Sequence, residues 1–229
     1  MELDITKLEQ KYGNYTGKEI LSHCDHTILK QDAVWEDVKR ICDEGLAAST
    51  ASVCIPATFV KQAKEYTKGK LAICTVIGFP NGYMTTKTKV FETLDAIENG
   101  ADEIDMVINI GWLKSGQIDA LSQDIKEVKK ACGDKILKVI VENCFLTEEE
   151  KITVCHVVRD SGADFIKTST GFAHGGATLP DAILMVKETN GKIKVKAAGG
   201  IKTIDDAVAY LNAGVDRLGT SSLYKLFCK

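Results

Sequence analysis

Three segments of the sequence follow one pattern: Asn99-Gly100-Ala101-Asp102, Ser161-Gly162-Ala163-Asp164 and Ala213-Gly214-Val215-Asp216. Each stands where a helical spacing of apolar residues gives way to a run suited to a strand. Glycine supplies the left-handed position that ends a helix, and the aspartate starts the next strand. A chain that repeats this punctuation is built from one α/β unit. Strands are expected over 26–29, 48–55, 71–79, 103–109, 136–142, 164–171, 193–199 and 216–219. Helices are expected over 32–45 (capped by Asp32, ended by Gly45), from Pro56, over 85–99, 118–131, 148–160, 179–190 and 204–212, and from Ser222. The continuous apolar run at 71–79 is what a parallel strand buried on both faces requires. Eight strands alternating with helices predict a (β/α)8 TIM barrel, one domain over residues 1–229. A short N-terminal helical extension, residues 4–20, reads as a lid or plug. An open doubly wound sheet would place a Gly-x-Gly-x-x-Gly turn after its first strand, and His26 to Lys30 contains none.

Composition narrows the class. The 229 residues are 45% hydrophobic and 27% charged, enough to bury one full core. The net charge of -3, with both signs interspersed, argues against binding to nucleic acid or to a membrane surface. Neither a basic leader followed by an apolar stretch nor a run of roughly 18 apolar residues is present, which places the chain in the cytoplasm. The eight cysteines are scattered without a Cys-x-x-Cys pair, as reduced packing thiols would be. His23 and His26 flank Cys24 and Asp25, too thin a set to predict a metal.

Chemistry enters with two lysines. Lys167 lies in Phe165-Ile166-Lys167-Thr168-Ser169-Thr170-Gly171-Phe172, and Lys196 in Val195-Lys196-Ala197-Ala198-Gly199-Gly200. The ordinary reading of a strand lysine is an edge position whose ammonium reaches solvent. Strand alternation instead puts Lys167 with Ser169, Lys196 with Ala198, Asp105 with Val107, and Lys138 with Glu142 on common faces. Pointing inward, they would gather three lysines and a carboxylate away from water, where each perturbs the others' protonation. A lysine whose pKa is lowered in this way is a Schiff-base nucleophile. For Lys138 a buried structural pair with Asp105 competes with any catalytic role. The last strand ends carry Gly171, Gly199, Gly200, Gly219, Ser221 and Ser222. Bare backbone N–H groups, two hydroxyls and the start of a helix suit a phosphate, at the place where such barrels commonly hold one.

These lysine segments, with Glu103-Ile104-Asp105-Met106-Val107, resemble the signature segments of the deoxyribose-phosphate aldolase family, metal-independent class I aldolases. The resemblance spans about residues 21–226. It implies Lys167 as the imine-forming lysine, Lys196 as the neighbour that tunes it and Asp105 as a proton donor and acceptor. Asp25-His26-Thr27 and Val53-Cys54-Ile55 match further pocket segments, adding Asp25, Thr27 and Cys54, although Cys54 also suits a packing thiol. The implied reaction is reversible cleavage of 2-deoxy-D-ribose 5-phosphate to D-glyceraldehyde 3-phosphate and acetaldehyde, with neither metal nor organic cofactor. The implied partners are those small molecules, with a homodimer or homotetramer as the expected assembly. Long family members carry a C-terminal tail ending in tyrosine, whereas this sequence ends Leu226-Phe227-Cys228-Lys229. Phe172 stands where some members have lysine, so phosphate is expected to rest on backbone donors and Lys202. Two alternatives remain: another phosphosugar lyase with a lysine imine or a transaldolase-like enzyme, and a non-catalytic sugar-phosphate sensor on the same scaffold.

Overall fold

The computed structural model describes residues 2–229. Eight parallel strands close into a barrel in chain order: β3 (Cys24–Thr27), β4 (Ser52–Cys54), β5 (Ile73–Ile77), β6 (Glu103–Val107), β7 (Ile136–Ile140), β8 (Phe165–Lys167), β9 (Lys194–Ala198) and β10 (Arg217–Thr220), with β10 pairing back onto β3. The (β/α)8 expectation holds. The helices are α3 (Trp35–Ala48), α4 (Val60–Thr67), α5 (Thr86–Glu98), α6 (Ile110–Lys114), α7 (Ile118–Cys132), α8 (Glu148–Arg159), α9 (Leu179–Thr189), α10 (Ile204–Asn212) and α11 (Leu223–Leu226).

The repeated tetrapeptides do more than end helices. Gly100, Gly162 and Gly214 have φ of 101°, 86° and 91°, a region that side chains disfavour. Each aspartate then clamps the preceding strand: Asp102, Asp164 and Asp216 accept the N–H of Ile73, Leu137 and Val195 at 2.9, 2.8 and 2.9 Å. Their own N–H groups donate back to the same residues' carbonyls. One motif, used three times, thus fixes register at the N-terminal end of the barrel.

Alternation sorts the strands as expected. Ile104, Met106, Leu137, Val139, Ile166, Val195 and Ala197 are buried in the apolar layer between strands and helices. The intervening residues Asp105, Lys138, Lys167 and Lys196 turn into the barrel.

Several local expectations are corrected. Residues 4–20 hold two helices, α1 (Ile5–Glu9) and the beginning of α2 (Gly17–Ser22), but also a small hairpin, β1 (Lys11–Tyr12) with β2 (Tyr15–Thr16). This extension is not a lid: α2 runs into the N-terminal end of β3, and α1 packs on the C-terminal segment, where Asp4 N–H donates to Phe227 at 2.8 Å. Gly45 does not end α3, which continues to Ala48 with Ser49 in the left-handed position. A Cβ at Gly45 would come within 2.9 Å of Leu71 and Val53, so the glycine allows the helix to sit on β4. Asn109 lies beyond β6, accepting Trp112 N–H at 3.2 Å as the cap of α6, a helix absent from the sequence reading.

Candidate active site

Parallel pairing brings the predicted residues together from separate strands. Lys167 stands opposite Lys196, Lys196 opposite Arg217, and Asp105 opposite Lys138. Their side chains meet on Asp105. Lys138 donates to its Oδ1 at 2.8 Å, while Lys167 and Lys196 both donate to its Oδ2, at 2.7 and 2.8 Å. Lys196 also reaches Asp25 Oδ2 at 2.5 Å, and Lys138 reaches Glu103 at 2.5 Å. Arg217 closes the network onto Asp25 and Glu103, and Ser52 donates to Asp25 Oδ1 at 2.8 Å. Four cationic side chains therefore face three carboxylates.

Electrostatics follows from that count. Burial works against the charge on Asp105, but Lys138, Lys167 and Lys196 outweigh it and hold the carboxyl well below the usual range. Asp25 is lowered in the same way, burial being outweighed by Lys196, Lys138 and Arg217. Burial also opposes the charge on Lys196, yet Asp105 and Asp25 raise it above the ordinary lysine value. Lys138 is raised well above it, with Asp105 the chief opponent of burial. Lys138 is a component of this buried lattice, as its competing structural reading anticipated.

Cys54 and Cys74 stand opposite one another on β4 and β5 beside Asp105. Cys74 donates to Asp105 Oδ1 at 3.2 Å, and the side-chain interaction with Cys74 lowers the Cys54 thiol against the effect of burial. The two sulfurs and a carboxylate oxygen lie within 4.8 Å of one another, a donor set suited to a soft divalent ion, although both Asp105 oxygens already take lysines. Elsewhere burial pushes thiols up, Cys42 to about 11 and Cys132 and Cys155 to about 12, as inert packing groups.

A cavity of about 560 Å³ opens at the C-terminal ends of β8, β9, β10 and β3. Of the lysines bound to Asp105, Lys167 alone lines it. Thr27, Gly171, Gly199, Gly200, Gly219, Ser221 and Ser222 line it too, whereas Asp25, Cys54, Asp105, Lys138 and Lys196 lie beneath. Among the described residues, no acceptor takes the N–H of Gly171, Gly199 or Gly200. The anion site expected at a helix start is modified: α11 is one four-residue turn, so these loop N–H groups carry the polarity instead of a helix dipole. Lys202, Lys30, Lys225 and Arg40 add cations to the wall.

Sequence reading missed Glu103, Cys74, Arg40 and the role of Arg217. Glu103 was findable, since it shares strand parity with Asp105. Arg40 lies on a helix surface, and nothing in its neighbours signals that α3 turns it toward the cavity.

A closed (β/α)8 barrel with a buried lysine opening onto a cavity at the strands' C-terminal ends defines a barrel enzyme of amine chemistry. Residues 20–229 match the family model described as DeoC/LacD family aldolase. A deoxyribose-phosphate aldolase of Clostridioides difficile (strain 630) is 59% identical over 209 residues, 91% of this chain and 95% of the relative. The crystal structure of a Coccidioides immitis protein assigned as a deoxyribose-phosphate aldolase superposes with a TM-score of 0.90 at 38% identity, covering 93% of this chain and 86% of that one. A tetrameric deoxyribose phosphate aldolase from Aeropyrum pernix superposes with a TM-score of 0.86 at 28% identity, covering 93% and 91%. The chain belongs to the DeoC/LacD family of aldolases.

Proposed function

We propose that the chain catalyses reversible cleavage of 2-deoxy-D-ribose 5-phosphate to D-glyceraldehyde 3-phosphate and acetaldehyde. The observation that carries this reading is Lys167, bonded to a buried carboxylate and opening onto a cavity rimmed by free backbone N–H groups. The neutral amine attacks the open-chain aldehyde carbon, and loss of water gives an iminium. The C3 hydroxyl loses its proton, the C2–C3 electron pair flows into the iminium, and glyceraldehyde 3-phosphate leaves. Protonation of the enamine at C2 and hydrolysis then release acetaldehyde and restore Lys167. The covalent imine supplies the electron sink, so the reading assigns no metal or organic cofactor.

Four cationic side chains face three carboxylates, and Lys167 has fewer carboxylate contacts than Lys138 or Lys196. Lys196 stays protonated as the fixed charge beside it. Asp105 begins as the shared acceptor for three ammonium groups. Conversion of Lys167 to an imine frees part of Oδ2 to take a water, the step at which Asp105 enters proton transfer. Gly171, Gly199, Gly200, Gly219, Ser221 and Ser222 anchor the phosphate, with Lys202 at the wall, so that remote binding energy orients the reacting carbons. Arg40 is the observation favouring a substrate with a second anion, but its guanidinium is engaged by Glu44 at 3.1 Å and Asp37 at 3.8 Å.

Borohydride reduction in the presence of acetaldehyde, followed by peptide mass mapping, tests the reading: a two-carbon adduct is expected on Lys167. An adduct only on Lys196, or none, overturns it. No described helix is long and apolar enough to cross a membrane, and buried reduced thiols support a cytoplasmic setting. Self-association into a dimer or tetramer is supported by Phe91 and Leu94, 71% and 52% exposed on α5, and is tested by light scattering.

A further inference from the structure

Glu142 lies two residues beyond β7, with φ 54° and ψ 65°. A residue with a side chain is uncommon in that left-handed region, and such conformations collect where surrounding structure fixes the backbone for a purpose. Its carboxylate is 2% exposed, yet no Lys, Arg or His pairs with it among the described residues. Both oxygens instead accept the N–H of Thr170, each at 3.2 Å, and Oε2 also accepts the Thr170 hydroxyl proton. Having given that proton away, Thr170 Oγ1 accepts the N–H of Phe172 at 3.0 Å. The turn so closed carries Gly171 at its centre, with φ 84° and an N–H that no protein group takes.

The neighbouring backbone explains why residue 142 does this work. Val141 N–H donates to Lys167 O and Asn143 N–H to Thr168 O, both at 3.0 Å. The two chains are therefore zipped together on either side of Glu142. The left-handed turn at 142 points its carboxylate toward the segment that follows Lys167.

Building on the aldolase reading above, we propose that Glu142 is a positioning residue: its carboxylate sets the Thr170–Phe172 turn, so that the Gly171 amide meets the phosphate while Lys167 meets the aldehyde. A carboxylate suits the task because it accepts an amide and a hydroxyl together, whereas an amide side chain would bring its own unsatisfied donors into a buried place. Glu142 itself does not line the cavity.

The test compares Glu142→Gln, Thr170→Val and Thr170→Ser on 2-deoxyribose 5-phosphate and on unphosphorylated 2-deoxyribose. KM for the phosphorylated sugar should rise about tenfold in Glu142→Gln and Thr170→Val, with values for the free sugar within about twofold of wild type. Thr170→Ser, which restores the hydroxyl, should recover most of the loss. Acetaldehyde trapping on Lys167 should persist in Glu142→Gln. Binding of inorganic phosphate by calorimetry should weaken by the same factor, which keeps the test informative independently of turnover. Equal losses on both sugars, or unchanged phosphate affinity, overturn the assignment. Failure of wild type to trap acetaldehyde would instead strike the aldolase reading, leaving the phosphate measurement to decide the role of Glu142.

Discussion

Lys167 Nζ lies 2.7 Å from Asp105 Oδ2, and the same carboxylate also takes Lys138 and Lys196, so the amine at the cavity floor is the open end of a buried ionic lattice. Asp105→Asn leaves the shape but removes the charge shared by three ammonium groups. Turnover should fall about 100-fold to 10,000-fold, the range for loss of a group in proton transfer. Stability should fall by about 3–5 kcal/mol, because buried cations lose their partner. Steady-state kinetics and thermal melts of the variant check both. Full activity would show that the lattice is scaffolding only.

Asp25 gives the lattice a pH signature. Its folded carboxyl lies below the unfolded value of about 3.9, as does that of Asp105. As pH falls from about 5, the unfolded chain takes up these protons first, so the stability present above that range is lost on acidification. Lys138 and Lys196 are raised, so their contribution is complete below about pH 10 and is lost only as pH climbs through their folded values. Asp25→Asn should therefore lower stability at pH 7 by about 3 kcal/mol and flatten the acid limb. Urea midpoints from about pH 2 to 8 measure this, and an acid limb unchanged from wild type would contradict it.

The barrel was legible because its punctuation repeats: each glycine-aspartate step does one physical job, ending a helix and clamping the preceding strand. Lys167, Lys196 and Asp105 were legible because charged residues within apolar strands have few explanations, and the period of two assigns them to one side. Glu103 shares the parity of Asp105 on one strand, whereas Cys74 looks like an ordinary strand residue until the closed barrel brings its thiol to Asp105 Oδ1 at 3.2 Å. The hairpin at Lys11–Thr16 and the helix capped by Asn109 were not legible, since elements of two to five residues are decided by tertiary contacts and single caps. Glu142 was noted only for its parity with Lys138; its left-handed backbone leaves no sequence signal.

Phosphate recognition is best tested at Ser221. Gly200 has φ 85°, so any L-residue there brings backbone strain that confuses the result, whereas Ser221 is exposed at the cavity rim. Ser221→Glu sets a like charge beside the phosphate, a penalty of about 1–3 kcal/mol. KM for 2-deoxyribose 5-phosphate should rise roughly tenfold to a hundredfold while that for free deoxyribose changes little. Matching losses on the two sugars would place the phosphate elsewhere.

Lys196 separates a tuned nucleophile from a structural lattice. Its ammonium bonds the same Asp105 oxygen as Lys167 and is raised by Asp105 and Asp25 against burial, so it stays charged throughout the working pH range. The cluster then carries one positive charge more than its carboxylates, a surplus that opposes a further ammonium beside it. Lys196→Leu removes the surplus. The acid-side limb of the pH–rate profile should move to higher pH, by about one to two units if the two ammonium groups interact by about 1.4–2.7 kcal/mol. Lys196→Arg keeps the charge but not the compact head that fits between Asp25 and Asp105, so the limb should stay near its wild-type position while turnover falls. Should both variants fold, turn over normally and keep the wild-type profile, Lys196 would be a spectator, and the two-lysine mechanism would be wrong.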